Sequence, residues 1–172
     1  MLRSRLAVYL IASAVFFGSF FTTLWVTEPP PPLASDNRSD AKRLAGYQIS
    51  DSSDLEKSAW SAELTRSRRL QGNVDAIRRI DEQNVIAVGW AADLEGDSAP
   101  LEVLVFVAGP LAATVYTEGE RPDVTAAVHL GLGAEKNVAF ALRFPCRKGD
   151  QPVVAVIGRE RQYLPMQSGR CP

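Results

Sequence analysis

The chain reads as an all-β domain, an Ig-like or jelly-roll-type β-sandwich of about seven strands with one short helical turn, carried behind a single transmembrane helix and a linker. Three observations predict this. From residue 70 onward, short apolar runs alternate with Gly, Pro and Asp, the texture of many short strands joined by turns. Leu101, Val103, Val105 and Val107 recur at every second position, the period that places side chains on one face of a strand. Residues 6–26 carry no charged side chain and follow Arg3 and Arg5, which is the pattern of a membrane span.

In order along the chain, residues 1–5 form a basic N-terminus and residues 6–26 an apolar run. As a helix that run covers roughly 30 Å, the thickness of a bilayer hydrocarbon core. Tyr9 and Trp25 stand near its two ends, where amphipathic rings prefer the interface. The positive flank predicts an N-terminus held in the cytoplasm and a C-terminal part exported. A cleaved signal peptide is the competing reading, although the run exceeds the usual apolar core of such peptides and no clean small-residue cleavage site follows it. Export follows from both.

Residues 27–70 read as a linker, opening on the polyproline Pro29 to Pro32, a stiff spacer. Its polar remainder contains Ser53-Asp54-Leu55-Glu56, a capping box that predicts a short helix over 54–66. Trp60 on that helix is a candidate docking residue. Strands are expected over 71–76, 85–91, 101–108, 112–118, 138–145, 152–157 and 162–164, which makes 71–172 the sandwich domain. Leu104 and Phe106 share a face with Glu102, so that strand should lie inside its sheet with its second face only partly wet. Residues 93–100 read as a hairpin loop and Gly109-Pro110 as a tight turn. The helical interruption begins at Arg121-Pro122-Asp123 and runs to about Val128, because proline suits a first turn and the acid complements the helix dipole.

Composition excludes several function classes. The 19 Lys and Arg are balanced by 20 Asp and Glu and scattered, which argues against nucleic-acid binding. A single histidine, His129, and two cysteines leave little for metal or His-based chemistry, and no nucleophile elbow is present. Asp93-x-Glu95-x-Asp97 suggests calcium, but Ser98 and Leu104 stand where an EF-hand loop needs glycine and a bidentate acid. An acidic hairpin tip is the simpler reading. No cofactor, metal or catalytic residue is predicted, and the domain reads as non-enzymatic.

Gly72-x-Val74-Asp75, Gly89-Trp90-Ala91-x-Asp93, Pro100-Leu101-x-Val103, Val107-x-Gly109 and Arg121-Pro122-Asp123-Val124, with a strand at Phe140, together resemble a β-sandwich module of bacterial envelope proteins. That module is found appended to glycosyltransferases and other polysaccharide-related proteins. The resemblance covers about residues 70–165 and implies association with envelope glycan. In this chain a membrane anchor and linker stand where a glycosyltransferase would, and Ala108-Gly109-Pro110 replaces the more usual Asp-Gly turn.

Site residues follow. Trp90 reads first as the core hub on which the sheets close, and second as a sugar-stacking platform. Asp75, Asp93, Arg121 and Asp123 form a polar cluster, structural or ligand-contacting, with Asp93 the expected partner of Arg121 and Asp75 the next. Tyr116 and Tyr163 are candidate saccharide platforms. Cys146 and Cys171 should form a disulfide in an oxidising compartment. The prediction is therefore a single-pass protein of the bacterial inner membrane with a periplasmic β-sandwich. It binds or organises envelope saccharide or, alternatively, serves as a protein-interaction subunit of an envelope biosynthesis or export complex.

Overall fold

A computed structural model describes residues 41–95, 99–128 and 137–172. Its larger sheet has five strands in the order β1 (Thr65–Arg66), β8 (Gln162–Met166), β7 (Val153–Ile157), β4 (Glu102–Phe106) and β5 (Leu111–Tyr116). Its smaller sheet has three, β2 (Leu70–Arg79), β3 (Asn84–Asp93) and β6 (Ala139–Pro145). Neighbouring strands are antiparallel except β1, which runs parallel to β8. The helices are α1 (Ser52–Ser61) and α2 (Pro122–Val128), and residues 41–45 are also helical. The apolar run 6–26, His129 and Asp97 lie outside the described residues. No helix among the described residues is long and apolar enough to cross a membrane.

The two sheets enclose a core of alternating side chains. Val85, Ala87 and Ala91 of β3 face Val103 and Val105 of β4, with Phe140, Leu142 and Phe144 of β6 filling the space between. Small residues on β3 make room for the rings of β6. Gly89 is the tightest case, since a Cβ there would lie 2.2 Å from the Asn73 carbonyl oxygen and 2.6 Å from Phe140 Cζ. Phe140 is the cross-strand partner of Gly89, so its ring packs onto the bare backbone. That contact requires glycine.

β4 is buried along its whole length. Its second face packs against a further layer built by residues 41–64. Leu44, Ile49, Leu55 and Ala59 are fully buried against Leu104, Phe106, Ala155 and Ile157. Each large aliphatic so buried contributes about 2 kcal/mol by area. This corrects the linker reading of 27–70 for its second half: the folded body begins no later than Ala41, not at residue 71. It also corrects Glu102, which is buried rather than half wet.

The helix in this layer also differs from its expected bounds. Asp51, not Ser53, is its N-cap, accepting from the Asp54 backbone N–H at 2.8 Å. It ends at Ser61 rather than at residue 66, because Glu63 turns the chain left-handed at φ 60° and leads into β1. The layer is tied to the β4–β5 turn by the Ile49 N–H, which donates to the Gly109 carbonyl at 2.6 Å. Ala108 and Gly109 form that turn at φ 52° and 114°, a geometry that costs a non-glycine residue some strain.

Cys146 and Cys171 are joined in a disulfide that spans 25 residues of sequence. The bridge joins the tail beyond β8 to the end of β6. The Arg79 guanidinium adds to this clamp, donating to the Cys146 carbonyl at 2.9 Å and to the Pro172 carbonyl.

Candidate functional site

The polar cluster forms, but with different partners from those expected. Arg121 stands at the entry to α2 and forks onto Asp123, Nε to Oδ1 at 2.9 Å and Nη2 to Oδ2 at 2.7 Å. Its Nη1 donates to Asp75 Oδ2 at 2.8 Å. Asp75 reaches Arg121 because a bulge between Val74 and Ala76 interrupts the β2–β3 register. Asp75 also accepts from Asn73 Nδ2 at 2.9 Å. The Arg121 pKa is raised by its hydrogen bonds to Asp123 and Asp75, and Asp123 is lowered from 3.8 to about 2, chiefly by its hydrogen bonds from Arg121. All three guanidinium nitrogens are occupied within the cluster, which ties α2 to the bulge of β2.

Asp93 is not the partner of Arg121. It takes both arms of Arg69, from Nε at 3.3 Å and from Nη2 at 3.0 Å. Glu95 and Glu160 stand farther out at 3.4 and 3.8 Å from the same guanidinium, and its pKa is raised, first by the bond to Asp93. In sequence Arg69 belongs with Arg66 and Arg68 to a basic run that reads as a solvated face, and its pairing with Asp93 was not expected. The signal was available in the hairpin register, since Leu70 pairs with Asp93 and places Arg69 just beyond it.

Trp90 is not the core hub. The alternation on β3 that buries Val85, Ala87 and Ala91 turns Ile86, Val88 and Trp90 to the outer face of the small sheet. There Trp90 is half-buried between its cross-strand neighbours Asn73 and Ala139. Tyr163 is not an exposed platform either. It lies in the core beneath the 41–64 layer, and burial raises its pKa. Tyr116 is half-buried, and its hydroxyl donates to Glu102 Oε2 at 3.3 Å.

The most open aromatic among the described residues is Trp60, 85% exposed on α1. One turn earlier on the same helical face stands Glu56, which lines a groove of about 680 Å³ between the start of α1 and the ends of β7 and β8. Ser50, Asp51 and Glu56 form one side of the groove and Arg66, Gln167 and Ser168 another. Arg66 Nη1 lies 3.3 Å from Glu56 Oε1 and ties the two sides together. Pro152, Val153, Pro165 and Met166 supply its apolar part. Amide, hydroxyl, carboxylate and guanidinium groups thus converge beside an apolar surface, with an exposed indole one helical turn away along α1.

Pro165 says what this groove is not suited to hold. The Ser67 N–H donates to the Tyr163 carbonyl, so Tyr163 and, two residues on, Pro165 turn their backbone groups toward the outer edge of β8. β1 ends at Arg66 and leaves the edge at Pro165 uncovered. A proline there offers no N–H, which blunts the edge against an added strand. A second, shallower depression of about 790 Å³ lies by the β4–β5 turn, lined in part by Val107, Pro110, Leu111 and Pro145. Comparison with family models, curated proteins and solved structures finds no match to the chain.

Proposed function

We propose that this protein is a non-catalytic envelope component, anchored in the bacterial inner membrane by residues 6–26, whose periplasmic β-domain binds saccharide in the groove between α1 and β8. The observation that carries the reading is the groove itself, with Glu56, Arg66, Gln167 and Ser168 converging one helical turn from the exposed Trp60. Sugars present hydroxyls for planar polar side chains and C–H faces for an indole; the groove supplies the first and Trp60, one helical turn beyond Glu56, supplies the second. The blunted β8 edge favours a glycan over an extended peptide. The disulfide suits an exported domain, and the resemblance of residues 70–165 to an envelope polysaccharide module points the same way.

The test is titration of the whole chain in detergent with oligosaccharides released from purified bacterial envelope glycan. Saturable binding is expected, and Trp60→Ala should weaken it about tenfold, equivalent to about 1.4 kcal/mol. Absence of binding at millimolar oligosaccharide, or equal affinity in the variant, overturns the reading. The exposure of Trp60 also fits the alternative of a scaffolding subunit in an envelope complex. In that case a photo-crosslinker at position 60 captures a defined protein in membranes while oligosaccharides do not compete.

A further inference from the structure

The groove has one side without regular structure. Gln167 and Ser168 belong to the tail that follows β8, which has no helix or strand to hold it. Near the groove the Ser168 hydroxyl donates to the Pro152 carbonyl. The remaining holds lie a few residues on, away from the groove. The Cys171 N–H donates to the Asp150 carbonyl at 2.8 Å, and the Gly149 N–H to the Cys171 carbonyl at 2.9 Å. Arg79 Nε reaches the Pro172 carbonyl at 3.2 Å. The covalent hold is the Cys171–Cys146 bridge, with both residues buried. A short tail therefore runs from the groove to a clasp, and the clasp is a disulfide.

We infer that the Cys146–Cys171 disulfide controls the groove: oxidised, it holds Gln167 and Ser168 in place to bind ligand, and reduced by a dithiol, it frees the tail and releases the ligand. The inference rests on the groove being the saccharide site. In the exchange, a thiolate of the reductant attacks one protein sulfur and the S–S bond breaks. The second reductant thiol then resolves the mixed disulfide. Two electrons and two protons pass to the protein, which gains two thiols, while the reductant becomes a disulfide. The sheets keep their hydrogen bonds throughout, because neither cysteine lies within a strand. Loss of the bridge removes a constraint on the tail and leaves the ladders of β4 and β7 intact.

The test has two arms on the whole chain. In the first, hydrogen exchange compares the oxidised protein, the protein reduced with dithiothreitol and reoxidised, and the double variant C146S/C171S. The amides at positions 171 and 149, hydrogen-bonded to the Asp150 and Cys171 carbonyls, should exchange at least about a hundredfold faster without the bridge, those of β4 should keep their rates, and reoxidation should restore tail protection. Unchanged tail exchange, or an equal acceleration across all strands, overturns the clasp. In the second arm, the envelope oligosaccharides named above should bind the reduced protein at least about tenfold more weakly than the oxidised one. Equal affinity overturns the control of binding. If no oligosaccharide binds the oxidised protein, the saccharide reading fails, and the exchange arm decides the clasp alone.

Discussion

Gly89→Ala is expected to destabilise the domain by about 3 kcal/mol, at the upper end of what one added methyl does in a packed core. The Cβ would meet the Asn73 carbonyl oxygen at 2.2 Å and the Phe140 ring at 2.6 Å. A ring can swing aside, but a backbone carbonyl paired within a sheet has little freedom to move. Denaturant unfolding of the oxidised protein measures the loss. Adding Phe140→Leu should recover part of it, because the shorter side chain relieves one of the two clashes. A change below about 0.5 kcal/mol would mean that the inner face of β3 is not as described.

Leu55→Ala should cost about 3 kcal/mol, since it empties a fully buried position between α1 and the large sheet. A leucine on a flexible linker would cost nearly nothing. Trp60→Ala provides an internal control on the same helix, because the indole is 85% exposed and its loss should change stability by less than about 0.5 kcal/mol. A thermal or denaturant comparison of the two variants therefore tests whether residues 41–64 are part of the fold. Equal stability of both with the parent protein would contradict the third layer.

Much of the strand content was legible because alternation is a local property. The two-sided apolar character of β4 was also legible, and it called for something to cover Leu104 and Phe106. What covers them was not. Leu44, Ile49, Leu55, Ala59 and Leu64 sit in a polar stretch and fall on a helical turn, an extended segment, a second helix and the irregular segment beyond it in succession. No single period runs through them. The layer is defined by packing against β4, β7 and β8, which lie far along the chain, and local propensity cannot report that.

Trp90 shows a different limit. Both faces of β3 are apolar, one made of Val85, Ala87, Gly89 and Ala91, the other of Ile86, Val88 and Trp90. Choosing the inner face by side-chain size selects the wrong one, because Phe140 and Phe144 of β6 already occupy the interior and leave room for small residues. Arg121 illustrates a third limit. Its partnership with Asp75 depends on a bulge in β2, which shifts one carboxylate by one register position. The Cys146–Cys171 bridge was legible for a simpler reason, an even pair of cysteines in a chain whose sequence led to the expectation of export.

The layer laid down by residues 41–64 completes the fold and, with Arg66 and the tail after β8, lines the groove proposed to hold saccharide. Backbone amide NMR shifts of the whole isotope-labelled chain, followed as envelope oligosaccharides are added, test that proposal most directly. Saturable shifts are expected at Ser50, Asp51, Glu56, Arg66, Gln167 and Ser168, with the indole of Trp60 moving in step. Shifts centred instead on Asp75, Trp90 and Arg121, or no shift at millimolar oligosaccharide, would contradict it.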